Sequence, residues 1–97
     1  TILMNARMLT RNIVIGSRRT TVRLEAAIWE ALDEICVRER TTRHELCTRI
    51  DANRDGINRA QAIRSVIINY YRLSLKKGTV PANFLSMALE YQNNLPA

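Results

Sequence analysis

Three side chains at alternate positions, Arg19, Thr21 and Arg23, are the residues of this chain best suited to chemistry at a surface. Each guanidinium offers a planar fork of donors that fits guanine O6 and N7 bidentately. The threonine hydroxyl between them can bond a base edge, and its methyl can touch that of thymine. All three lie in the run Arg18-Arg19-Thr20-Thr21-Val22-Arg23-Leu24-Glu25. Side chains alternate along a strand, so Thr20, Val22 and Leu24 take the opposite face and can sit on a core. The competing reading is a solvated strand face with no ligand, but an idle face rarely needs two arginines and a threonine together. Arg18 falls on the core-facing register or at the ribbon's end, which suits a phosphate better than a base.

A lone strand cannot satisfy its backbone groups, so this one needs a partner. No second strand of the same type stands out in the sequence, and the expected partner is the same strand of another copy. The segment Arg11-Asn12-Ile13-Val14-Ile15 has strand propensity and is interrupted by Gly16-Ser17; it either extends the ribbon or flanks it. Arg11 reaches a DNA backbone only in the first case. Residues 1–10 are expected to form a flexible arm.

The elements behind the strand are helical. Ile28, Leu32, Ile35 and Cys36 recur at helical spacing, with Trp29 on the flank, which predicts a helix from Glu25 to Arg38 or Glu39. A second helix follows Thr41-Thr42, where Thr42 and Glu45 have capping-box spacing; Leu46, Cys47 and Ile50 form its stripe, and it fades between Ala52 and Asp55. Gly56 and Asn58 mark a turn and a cap before a third helix, Arg59 to about Leu75, with Ile63, Val66 and Ile67 on its apolar side. A fourth helix is predicted from Pro81 to about Gln92.

The chain has 97 residues and a net charge of +6, with 46% hydrophobic residues, which fits one folded domain rather than a disordered segment. The charge is uneven. Residues 1–24 hold five arginines and no acid, residues 25–55 hold eight acids and five bases, and residues 56–97 hold five bases and one acid. That pattern favours a polyanion at the strand and along the last half. No run is apolar enough to span a bilayer, and a cytoplasmic, nucleoid-associated location is expected. Cys36 and Cys47 read as reduced core thiols, and two cysteines with one histidine make no zinc site. His44 is the sole histidine, and Glu30, Asp33 and Glu34 form a solvated face, so neither an enzyme nor a cofactor is expected.

A basic strand, a helix, and then a Gly56-x-Asn58 turn with its helix resemble the ribbon-helix-helix superfamily of bacterial DNA-binding proteins. The resemblance is closer to a longer subgroup, similar in Arg19-Thr20-Thr21-Val22-Arg23-Leu24-Glu25, Trp29, Leu32, Glu34-Ile35, Leu46, Ile50-Asp51 and Ala62-Ile63-Arg64, and it covers about residues 11–74. It implies a mainly α fold with one N-terminal strand paired across a homodimer, followed by three to four helices. The domain would span residues 11–78, with a helical extension over 79–97. It also implies binding of operator double-stranded DNA in the major groove by a transcriptional regulator, commonly a repressor, with cooperative placement of two dimers on adjacent sites.

Arg19, Thr21 and Arg23 are then the base contacts. Val22, Leu24, Ile28, Trp29, Leu32, Ile63, Val66 and Ile67 form the dimer core. The family holds a DNA phosphate at a helix N-terminus, and here two compete: Thr41-Thr42-Arg43 and Asn58-Arg59. Both have backbone donors, a capping side chain and an arginine. The second is preferred, because it carries the resemblance and has fewer acids nearby. The phosphate contacts are thus Arg18, Asn58 and Arg59, with Arg43 as the alternative. The alternative function is an antitoxin or interaction module whose helix over 81–92 binds a protein partner through Phe84, Leu85 and Leu89; packing of that helix on its own dimer is the preferred reading of the same residues.

Overall fold

The computed structural model describes residues 7–77 and Leu89. Its elements run β1 (Met8–Ile15), β2 (Arg18–Glu25), α1 (Ala26–Glu39), α2 (Arg43–Ala52) and α3 (Arg59–Lys77). They gather into two compact units, Thr1–Arg49 and Ile50–Ala97, with the division inside α2.

In the first unit β1 and β2 form an antiparallel hairpin, in register from Met8↔Glu25 to Ile15↔Arg18. The connection is the two-residue turn Gly16-Ser17. Gly16 has φ +61° while Ser17 is not in the positive region, the signature of a type II′ turn, whose twist matches that of the strands. Within the chain the hydrogen-bonded neighbour of β2 is β1, so of the two roles expected for Arg11–Ile15 the segment takes that of a flanking strand, and pairing with a second copy is not what satisfies this edge of β2. The physical reason is local. A β-branched run, Ile13-Val14-Ile15, precedes a glycine-led turn, so the hairpin closes at little cost in loop entropy. The strand also starts at Met8, inside the segment expected to be an arm.

Ile15 and Arg18 close the turn as a hydrogen-bonded pair, and such pairs recur at every second position along an antiparallel ladder. The Ala26 amide donating to the Arg7 carbonyl at 2.8 Å keeps that alternation to the far end. The backbone N–H and C=O groups of Arg19, Thr21 and Arg23 therefore point away from β1, to an edge with no strand paired to it among the described residues. The outer edge of β1 is different. Near the turn it meets α2, where His44 donates from Nδ1 to the Val14 carbonyl at 2.7 Å and the Gly16 amide donates to Thr48 Oγ1 at 3.0 Å.

Helix α1 ends in a Schellman motif: the Thr41 amide donates to the Cys36 carbonyl at 2.9 Å and the Arg40 amide to that of Val37 at 3.3 Å. Arg40 takes the left-handed position, φ 53°, usually given to glycine. Helix α2 starts at a Thr42 cap whose Oγ1 accepts from the Glu45 amide at 3.1 Å, as the capping-box spacing predicts. The first unit buries Ile13, Val22, Leu24, Trp29, Leu32, Ile35, Cys36, Leu46 and Cys47.

In the second unit α2 gives way to a turn in which Asp55 and Gly56 both have positive φ. Asn58 then caps α3, with its Oδ1 accepting from the Gln61 amide at 2.8 Å. Ile50, Ala62, Ile63, Val66, Ile67 and Tyr70 are buried. Of the expected dimer core, Val22, Leu24, Trp29, Leu32, Ile63, Val66 and Ile67 are thus buried within a single chain, while Ile28 is half-buried. The helix expected over 81–92 lies outside the described residues apart from Leu89, which is helical and buried.

Candidate nucleic-acid interface

The register of the hairpin sorts its side chains into two faces. Residues directly opposite one another share a face. The pairs Ile13↔Thr20, Arg11↔Val22 and Leu9↔Leu24 define the inner one, on which Ile13, Val22 and Leu24 are buried. The pairs Val14↔Arg19, Asn12↔Thr21 and Thr10↔Arg23 define the outer one, and all six of these residues are exposed. Arg19, Thr21 and Arg23 are therefore brought together on one open surface. Among the described residues the Arg18, Arg19 and Arg23 side chains have no carboxylate or hydrogen-bond partner. Arg18 lies beside the turn, at the end of the ribbon.

Reasoning from β2 alone missed the outer face of β1, which adds Thr10, Asn12 and Val14. Thr21 donates from Oγ1 to Asn12 Oδ1 at 2.9 Å, so the two strands are joined across the outer face by their side chains. The period-2 pattern Thr10, Asn12, Val14 before a Gly-Ser turn is the sequence signal that could have found them.

Arg11 belongs to the inner register and places its guanidinium 5.7 Å from the Trp29 ring centroid. Trp29, 2% exposed, donates from Nε1 to the Leu9 carbonyl at 3.0 Å and anchors α1 to β1.

The two helix starts differ in their electrostatics. At the start of α2, Arg43 grips Asp33 through Nη2 at 2.8 and 2.9 Å and Nε at 3.2 Å, and its guanidinium stacks 5.1 Å from the Trp29 ring. One cation meets one carboxylate there. At the start of α3, Asp51 Oδ1 accepts from Arg59 Nε at 2.7 Å and pairs with Arg54 Nε at 2.9 Å. Two cations share one carboxylate there. Arg54 was not singled out from sequence, because its role depends on the turn that brings it to Asp51.

Cys36 and Cys47 are buried free thiols. Burial pushes the Cys36 thiol above its ordinary pKa, the Asp33 carboxylate adds to that, and Arg43 opposes it. His44 uses Nδ1 on the Val14 carbonyl. No helix among the described residues is long and apolar enough to cross a membrane.

A two-stranded antiparallel ribbon, cationic on its open face and followed by capped helices, defines a class of nucleic-acid-binding domain. The family model of the ribbon-helix-helix domain matches residues 8–71, about two-thirds of the chain, and the protein belongs to that family. Its domains are DNA-binding modules that typically act as dimers. Neither a curated protein nor a solved structure matches the chain.

Proposed function

We propose that the chain is a homodimeric transcriptional regulator that reads operator DNA in the major groove. The observation that carries this is the outer face of the ribbon, where Arg19, Thr21 and Arg23 stand exposed and the two arginines have no anionic partner among the described residues. Unpaired guanidiniums held on a rigid strand are suited to guanine edges. The asymmetry of the hairpin edges supports β2 as the pairing strand. Its outer backbone groups are open, whereas α2 occupies part of the outer edge of β1. Two copies would then set β2 against β2 at the dyad. Arg18 would reach phosphate from the ribbon end. Asn58 and Arg59 would hold one at the start of α3, where Arg54 and Arg59 share the single Asp51 carboxylate.

Selection of bound duplexes from a random pool tests the reading. The wild type should enrich a short motif, and Arg19→Ala or Arg23→Ala should each cost about 1–3 kcal/mol on it and relax one position. Unchanged affinity in both variants would remove the ribbon from the interface.

A further inference from the structure

We infer that Asn12, on β1, is a contact to the DNA backbone rather than to the bases, an inference that rests on the dimer proposed above. Pairing β2 with its symmetry mate gives the strand order β1-β2-β2-β1. Neighbouring strands are about 4.8 Å apart, so each β2 lies about 2.4 Å from the dyad and each β1 about 7 Å from it. The major groove is about 12 Å wide, which leaves about 6 Å on either side of its midline. The β2 strands therefore fall over the base edges and the β1 strands over the groove walls, where the phosphates are.

The chemistry of Asn12 fits that position. It is exposed on the outer face, directly opposite Thr21. Its Oδ1 accepts the Thr21 hydroxyl at 2.9 Å. The acceptor end of the amide is thus used within the ribbon, and the donor end, Nδ2, is left for a ligand. Phosphate oxygens only accept, and asparagine amides are among the usual donors to them. The bond to Thr21 also fixes the Asn12 rotamer, so little side-chain freedom is lost on binding.

The test compares wild type, Asn12→Ala, Asn12→Asp and Arg23→Ala on two duplexes: one enriched by the wild type from a random pool, and one of random sequence and equal length. Asn12→Ala should weaken binding to both by the same factor, about tenfold for the dimer. Asn12→Asp still accepts the Thr21 proton but turns a carboxylate to the phosphates, and it should lose more than Asn12→Ala on both. Arg23→Ala should lose mainly on the enriched duplex. Circular dichroism melts check that the exposed substitutions leave the fold intact. Asn12→Ala that binds like wild type, or that loses affinity on the enriched duplex alone, overturns the backbone contact while the ribbon reading stands. A wild type that enriches no sequence, or Arg23→Ala that binds like wild type, overturns the ribbon reading and this contact with it.

Discussion

Trp29 donates its indole N–H to the carbonyl oxygen of Leu9, 3.0 Å away, and so fastens the first turn of α1 to the strand that sequence reasoning left without a firm role. The contact explains why a tryptophan stands here. Its ring is 2% exposed and flanked by the Arg43 and Arg11 guanidiniums at 5.1 and 5.7 Å, while its one polar atom is satisfied by backbone. Trp29→Phe keeps an aromatic ring but removes the donor and some volume. Urea unfolding should show a loss of about 1–3 kcal/mol. A midpoint equal to that of wild type would mean that the indole N–H does not secure β1.

Arg40 occupies the left-handed end of α1 at φ 53°, a conformation that costs an L residue about 1–2 kcal/mol. It is exposed, and among the described residues its side chain has no carboxylate partner. Arg40→Gly relieves the strain and leaves the Schellman hydrogen bonds available. The variant should be more stable by about 0.5–1 kcal/mol, after the larger unfolded-state entropy of glycine is subtracted, read as a higher thermal midpoint. A lower midpoint would show that Arg40 makes a favourable contact that outweighs its backbone strain.

The helices were legible because their signals are local. Thr42 with Glu45 and Asn58 with Gln61 sit at cap spacing, and both caps form. The stop of α1 at Glu39 falls where the sequence placed it, although the residue in the left-handed position after it is arginine rather than glycine. β1 was half legible. Its β-branched residues were noted, but Arg11 and Asn12 break the apolar run, and only the register with β2 shows that one faces in and the other out. The same holds for the site. Arg19, Thr21 and Arg23 follow from alternation in one strand, whereas Asn12 opposite Thr21 and Arg43 on Asp33 are pairings between elements that no single segment encodes.

Arg43 and Arg59 distinguish the two helix starts. Arg43 is neutralised one to one by Asp33, whereas Arg59 shares Asp51 with Arg54. Arg59→Ala should therefore weaken binding to every duplex alike and lower the slope of log affinity against log salt by about one for each phosphate no longer neutralised. Arg43→Ala should act mainly on stability, because it strips Asp33 and Trp29 of a partner. An undiminished salt slope in Arg59→Ala, together with a reduced one in Arg43→Ala, would transfer the phosphate to the start of α2.

Cys36 reports on the Arg43–Asp33 pair from the protein interior. Desolvation raises its pKa, the Asp33 carboxylate raises it further, and Arg43 lowers it. A raised folded-state value means that the folded protein holds the thiol proton more tightly than the unfolded chain does. The resulting stability is complete below the ordinary thiol range and is lost as pH rises through the folded value, so it affects only alkaline stability. With Cys47 replaced by alanine, Cys36 should react slowly with a thiol reagent at pH 8 and rapidly in denaturant, because the thiolate is the reactive form. Asp33→Asn removes one of the raising charges and leaves Arg43 in place, so it should speed the native reaction. Arg43→Ala removes the opposing charge and should slow it at matched stability. If both variants react at the wild-type rate, exposure rather than charge governs the thiol, and the ion pair lies too far from the sulfur to tune it.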